Sequence, residues 1–111
     1  MKDEQWIELI RSSIVKDVEE AVGEIVGFSN YAESYDLAEN FLLELCASDE
    51  PNIRGISVLG LGHLARVHKK SSAQSIATVK QALTDPDKYI AGHADSAADD
   101  ISHFTGHTVS A

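Results

Sequence analysis

The feature that most constrains this 111-residue chain is a pattern that occurs three times. Aligning Val18, Ile53 and Ile90, which lie 35 and 37 residues apart, brings Ala21, Ile56 and His93 into register. Val22, Ser57 and Ala94 then align, followed by Ile25, Gly60 and Ala97, and by Val26, Leu61 and Ala98. An apolar residue followed by apolar or small residues at +3, +4, +7 and +8 describes one face of a helix. Two copies follow related turns, Ser48-Asp49-Glu50-Pro51 and Asp85-Pro86-Asp87. Self-similarity at this period marks stacked units, because a lone helix pair cannot bury its own apolar face. Gly60, Gly62, Ala94, Ala97 and Ala98 are small enough to let such helices approach closely.

The segments between the copies are also periodic. Trp6, Ile7 and Ile10 predict a short opening helix. Val15, Val18, Ala21, Val22, Ile25 and Val26 predict a second, with Gly27 as its C-cap and a turn at Ser29-Asn30. Tyr35, Ala38, Phe41, Leu42 and Leu45 predict a third; Ile53, Ile56, Leu59, Leu61 and Leu64 a fourth, up to about His68. After the loop Lys69-Lys70-Ser71-Ser72, Ile76, Val79 and Leu83 predict a fifth helix, stopped by Thr84 to Asp87. Ile90, Ala94, Ala97, Ala98 and Ile101 predict a sixth. The expectation is a single all-α domain over 1–104, built from three helix pairs at about 4–28, 31–68 and 72–104. Residues 105–111 lack periodicity and are expected to fray.

The fourth and sixth helices resemble the second helix of a HEAT-type repeat. In that family the unit reads roughly Asp-Pro, two or three residues, Val-Arg, Ala-Ala and Ala-Leu-Gly. Ile53-Arg54 and Leu61-Gly62 match it. The Ile90 copy keeps Asp85-Pro86 but has Ala91 for the Arg and Asp99 for the Gly, and the Val18 copy lacks the Asp-Pro turn. The resemblance covers about residues 4–103 and implies a short right-handed α-solenoid. Two stretches, Ile53 to Arg66 and Gly92 to Ile101, are similar to compact bacterial HEAT-type proteins. That group includes immunity proteins of contact-dependent growth inhibition. The resemblance implies a small cytoplasmic protein that neutralises a delivered toxin domain, often a ribonuclease.

Charge narrows the partner independently. The chain carries 18 Asp and Glu against 9 Lys and Arg, a formal charge of −9. Residues 1–50 hold 13 of the acids and 3 of the cations; residues 51–111 hold 5 acids and 6 cations. Such a chain repels nucleic acid and anionic membrane, and attracts a basic protein. The expected partner is therefore a cognate basic toxin domain, bound one to one and occluded by an acidic surface. A HEAT-type scaffold or adaptor that binds another protein is the alternative. The single cysteine, Cys46, lies in the apolar run from Phe41 and reads as a buried thiol; with no secretory leader pattern at the N-terminus, a reduced cytoplasmic setting is expected.

With the apolar positions of the second helix taken by core, Glu19, Glu20 and Glu24 are left for the surface. Glu33, Asp36 and Glu39 are expected to project away from Phe41 and Leu42, beside Tyr31 and Tyr35, since Tyr is a favoured interface anchor. Asp95 and Asp99 lie opposite Ile90, Ala94 and Ile101, with Asp100 beside them. In a HEAT-type stack the second helices line the concave side, which would bring Glu20, Glu24, Asp95 and Asp99 onto one curved surface. These ten residues, Glu19, Glu20, Glu24, Tyr31, Glu33, Tyr35, Asp36, Glu39, Asp95 and Asp99, are the candidate partner-binding set.

Other chemistry is weaker in the sequence, and no catalytic residue, cofactor or metal is expected. Gly60-Leu61-Gly62-His63 lies within a predicted helix and lacks the Lys-Ser/Thr of a phosphate loop, so it reads as helix packing. Asp99 and His103 share a helix face, with His107 one turn on if the helix continues. The serines show no nucleophile elbow, so an enzyme is not expected. His63 and His93 sit in apolar stretches and read as half-buried, hydrogen-bonded groups; the sharper reading puts His93 and Asp95 on a recognition face. Arg54 is expected to pair with Asp49 or Asp17, as the ladder residue of such stacks.

Overall fold

The computed structural model describes all 111 residues and contains six helices. These are α1 (Asp3–Lys16), α2 (Val18–Tyr31), α3 (Tyr35–Leu45), α4 (Pro51–His68), α5 (Ala73–Ala82) and α6 (Lys88–Thr105). Capping explains most of the starts. The Asp17 side chain accepts from the Glu19 and Glu20 amides, and Ser34, Ser72 and Asp87 act likewise for α3, α5 and α6. At α4, Glu50 accepts from Asn52 and Pro51 fills the first turn, where its missing N–H costs nothing. Two ends use left-handed residues, Lys69 after α4 (φ 59°) and Gly106 after α6 (φ 79°).

Sequence neighbours pair as α1–α2, α3–α4 and α5–α6. Contacts between pairs then form two rows: α2–α4–α6, and the thinner α1–α3–α5. The molecule measures 35 × 30 × 17 Å, and its short axis accommodates two layers of helices packed about 8–10 Å apart. The middle helix α4 touches all the other helices except α1 to a significant extent, and ten of its eighteen residues are buried. One continuous core runs through both rows, with Ile10, Ile25, Phe28, Leu42, Ile53, Leu61, Leu64, Ile90 and Ile101 essentially sealed from solvent.

Glycines set the spacing of the α2–α4–α6 row. A Cβ on Gly62 would stand 2.7 Å from Ala97 Cα of α6, so the two backbones approach as closely as glycine permits. On the other side of α4, Gly60 meets Leu42 and Ser29. The mid-helix glycines therefore serve packing.

Three local expectations change. The second helix does not end at Gly27 but runs to Tyr31. Gly27 accommodates the Trp6 ring of α1, 2.8 Å from the site of its missing Cβ, while Ser29 and Asn30 both donate to the Val26 carbonyl inside the helix. Val15 belongs to α1 and is 85% exposed, because Asp17 breaks the chain between the helices. The tail does not simply trail away: Val109 is buried against the core, and its amide donates to Ser102 Oγ at 3.3 Å.

Candidate partner-binding surface

The ten candidate residues divide by burial. Glu19 and Glu20 are exposed in the first turn of α2, where their charge also complements the helix dipole. Tyr31 ends α2 with 77% of its surface exposed. Glu33 and Asp36 are exposed around the start of α3, and Asp95 and Asp99 along α6. Glu24 is only half-buried on α2, yet its Oε1 is sealed from solvent without a hydrogen-bond partner.

Tyr35 and Glu39 are corrections. The Glu39 carboxylate is buried, and its Oε2 accepts from Tyr35 Oη and Ser75 Oγ, each at 2.5 Å, and from the Ser72 amide at 3.4 Å. Tyr35 Oη in turn accepts from the Ser72 amide at 2.9 Å. The two residues tie α3 to the N-terminus of α5, whose partial positive charge suits a buried carboxylate. Burial works to raise the Glu39 carboxyl, but the hydroxyls of Ser75 and Tyr35 and the contacts of Ser72 outweigh it, and the net shift is downward. The helical pattern could not reveal this, since two of the three residues that satisfy Glu39, Ser72 and Ser75, lie more than thirty positions away.

The acidic field is nearly unopposed. The one ion pair is Arg11 with Glu44, a two-pronged contact at 2.5 and 3.0 Å that is half exposed. Asp3, Asp17, Glu39, Glu50, Asp85 and Asp87 accept hydrogen bonds from backbone amides or hydroxyls. Asp3 is a fastener rather than a surface charge: buried, it accepts from the amides of Glu33 and Ser34 and holds α1 to the start of α3. The other eleven carboxylates have no partner within the chain, among them Glu19, Glu20, Glu24, Glu33, Asp36, Asp95 and Asp99. Arg54 does not neutralise Asp49 or Asp17; its Nη1 donates to the Ser48 carbonyl at 2.9 Å and closes the α3–α4 turn.

A second cluster was missed as a group. On the α2–α4–α6 row, His63 Nδ1 lies 2.9 Å from Ser29 Oγ and 3.4 Å from Asn30 Nδ2. Arg66, one turn along α4, donates to Asn30 Oδ1. An arginine only donates, so the Asn30 atom facing it is the oxygen. Asn30 Nδ2 then faces His63 and also donates to the Val26 carbonyl. Burial pushes the His63 imidazolium below its ordinary range; Arg66 and His93 add to this, and Asp100 of α6 opposes it. The Ser29 hydroxyl is wholly buried, 2.9 Å from the Val26 carbonyl, so this pair joins two helices rather than presenting a nucleophile. The sequence carries a signal for this cluster. Between Pro51 and Thr84 it has five cations, Arg54, Arg66, Lys69, Lys70 and Lys80, and no Asp or Glu.

No group of three or more His, Cys, Asp or Glu side chains is arranged to hold a metal ion. His107 lies beyond the end of α6, so it cannot extend the Asp99–His103 face. No helix is long and apolar enough to cross a membrane. Comparison of the chain with protein-family models, with curated proteins and with solved structures found no match.

Proposed function

We propose that this chain is an immunity protein. It binds a cognate basic toxin domain, of the nuclease class, one to one in the bacterial cytoplasm, and neutralises it by covering it. The observation that carries this reading is the set of eleven carboxylates without internal partners on a chain of charge −9. A nuclease holds phosphate with a cationic cleft, and an acidic surface can enter that cleft and exclude the nucleic acid. Complementary charge speeds the encounter, while desolvated contacts hold the complex. Tyr31, the most exposed aromatic, supplies an anchor of the type that dominates interface energetics. The row α2–α4–α6 is compatible with the second-helix layer of a short HEAT-type stack, which motivates the immunity assignment within that group.

A second reading, a HEAT-type adaptor for another protein, draws on the exposed apolar side chains of Met1, just before α1, and of Leu9 and Val15 on it. Affinity capture with a salt titration separates the two. Immunity predicts one basic protein retained at 1:1, with its activity inhibited and its association slowed by salt. An adaptor predicts several partners with little salt dependence. Replacing Glu19, Glu20, Glu33 and Asp36 by Lys changes the net charge from −9 to −1 and should slow association at low salt at least tenfold. An unchanged rate would remove electrostatic steering from the proposal.

A further inference from the structure

We propose that the cleft between the second and third helix pairs binds a free aliphatic α-amino acid, with Arg54 holding its carboxylate and Asp85 its ammonium. The proposal goes beyond the acidic docking surface and does not rest on it. The cleft opens where the outer row thins between α3 and α5. Its volume of about 270 Å³ is room for roughly nine non-hydrogen atoms at about 30 Å³ each, the share of a water molecule in the liquid. That suits a molecule the size of leucine and is too small for a nucleotide. Val58, Ala82 and Ile90, all buried, supply apolar wall. Arg54 of α4, Gln81 of α5 and Asp85 of the α5–α6 turn supply polar groups.

Two half-buried charges of opposite sign line this one space, yet they do not pair; the ion pair of the chain is Arg11 with Glu44. Each is tethered in its own turn instead. Arg54 Nη1 donates to the Ser48 carbonyl at 2.9 Å, and Asp85 Oδ1 accepts from the Asp87 amide at 2.8 Å. For the two side chains to close on one another, a tether would have to break. The tethers consume one guanidinium N–H and one carboxylate oxygen. The other guanidinium N–H groups and Asp85 Oδ2 have no partner within the chain. Thr78 also lines the cleft, but its hydroxyl proton is donated to the Gln74 carbonyl, so its oxygen can only accept. Gln81 can do either.

The pair of charges selects the ligand. A lone carboxylate or phosphate in the cleft would face Asp85, and a lone amine would face Arg54. A divalent cation needs more oxygen ligands than one carboxylate and would meet the guanidinium. A zwitterion meets both groups with charge-assisted hydrogen bonds, and a guanidinium suits the two oxygens of a carboxylate. In an α-amino acid the ammonium and carboxylate share one carbon, which leaves the side chain for the apolar wall. Partial exclusion of water strengthens both polar contacts relative to an open surface.

The test is a titration of nitrogen-15-labelled protein with leucine at constant ionic strength. Saturable shifts are expected at Arg54 Nε, at the Gln81 side-chain amide and at the backbone amides of Asp85 and Ile90. Leucinamide lacks the carboxylate and isocaproate lacks the ammonium; each should bind at least about tenfold more weakly than leucine. Asp85→Asn keeps an oxygen for the Asp87 amide but loses the charge, and should weaken leucine by about tenfold or more. Arg54→Gln serves as the second variant if the spectrum of Asp85→Asn is not that of a folded protein. The absence of saturable shifts with leucine overturns the proposal. So does equal affinity for leucine and either half-ligand, or undiminished binding by the variant. If leucine leaves these signals unmoved and a captured basic protein shifts them, the cleft belongs to the protein interface; the proposal then falls while the immunity reading stands.

Discussion

Replacing Gly62 by Ala tests whether the α4–α6 contact is as tight as glycine allows. The added methyl would sit 2.7 Å from Ala97 Cα, 3.0 Å from its Cβ and 3.3 Å from its carbonyl oxygen. Ordinary contact begins near 3.4 Å, so α4 and α6 must separate locally by about 0.7 Å. Two of the three atoms are backbone, so no rotamer change relieves the clash. Gly23 on α2 is the control, since nothing lies within 4 Å of its Cβ position. At Gly23, alanine gains helix propensity of about 0.8–1 kcal/mol. The same gain at Gly62 is opposed by overpacking of about 1–3 kcal/mol. The two variants should therefore differ by about 1–3 kcal/mol, Gly23→Ala being the more stable. With urea slopes of about 1–3 kcal/mol per molar for small domains, their midpoints should differ by roughly 1 M. Equilibrium urea unfolding followed by circular dichroism reads the difference. Equal midpoints would refute the claim that close backbone approach governs this contact. Gly55→Ala should fall between them, because its nearest neighbour is the Tyr89 ring, at 2.6 Å but 39% exposed and free to swing.

Glu39→Gln should destabilise the protein by about 1.5–3 kcal/mol at pH 7, the scale of hydrogen bonds to a charged group. Because the folded carboxyl is held below its ordinary value of 4.5, this contribution is fully present above that pH and fades as pH falls through the lower folded value. Wild type and Glu39→Gln should therefore converge in stability under acid, and a gap that persists at pH 2 would contradict the role of the charge. Burial pushes the Cys46 thiol up to about 12, so native protein at pH 8 should alkylate with iodoacetamide far more slowly than protein in urea. Comparable rates would mean that the cleft of about 270 Å³ beside Cys46, Arg54, Thr78 and Asp85 opens readily. Asp3→Ala removes the acceptor for the Glu33 and Ser34 amides and should cost about 1–3 kcal/mol. Hydrogen exchange should then accelerate selectively at those two amides.

Six helices and their order were legible in the chain alone, though the turn expected at Ser29-Asn30 lies inside α2. The reason is that these are local properties: apolar residues at helical spacing, Asp and Ser at N-caps, Pro51 in a first turn. The candidate surface was legible only in part. Exposed Glu19, Glu20, Tyr31, Asp95 and Asp99 follow from helical periodicity, because the face opposite the core faces water. Glu39 broke that rule, since a carboxylate can enter a core wherever distant hydroxyls and a helix N-terminus meet it. Gly27 misled for a related reason: the same residue that ends a helix by adopting positive φ also admits an aromatic ring by lacking a Cβ, and only Trp6 on another helix decides between the two.

The amino-acid sequence by itself determined the helical segments and the charge of each, including the acid-free stretch from Pro51 to Thr84. The tertiary structure decided which charges remain free. It spent Asp3 and Glu39 on holding helices together, left eleven carboxylates without partners, and set Asn30 and Ser29 of α2 against His63 and Arg66 of α4. Periodicity records only which way a side chain faces on its own helix. For Asp3, Glu39, Ser29 and Asn30 the cross-helix partners lie thirty or more positions away, and packing alone brings those together.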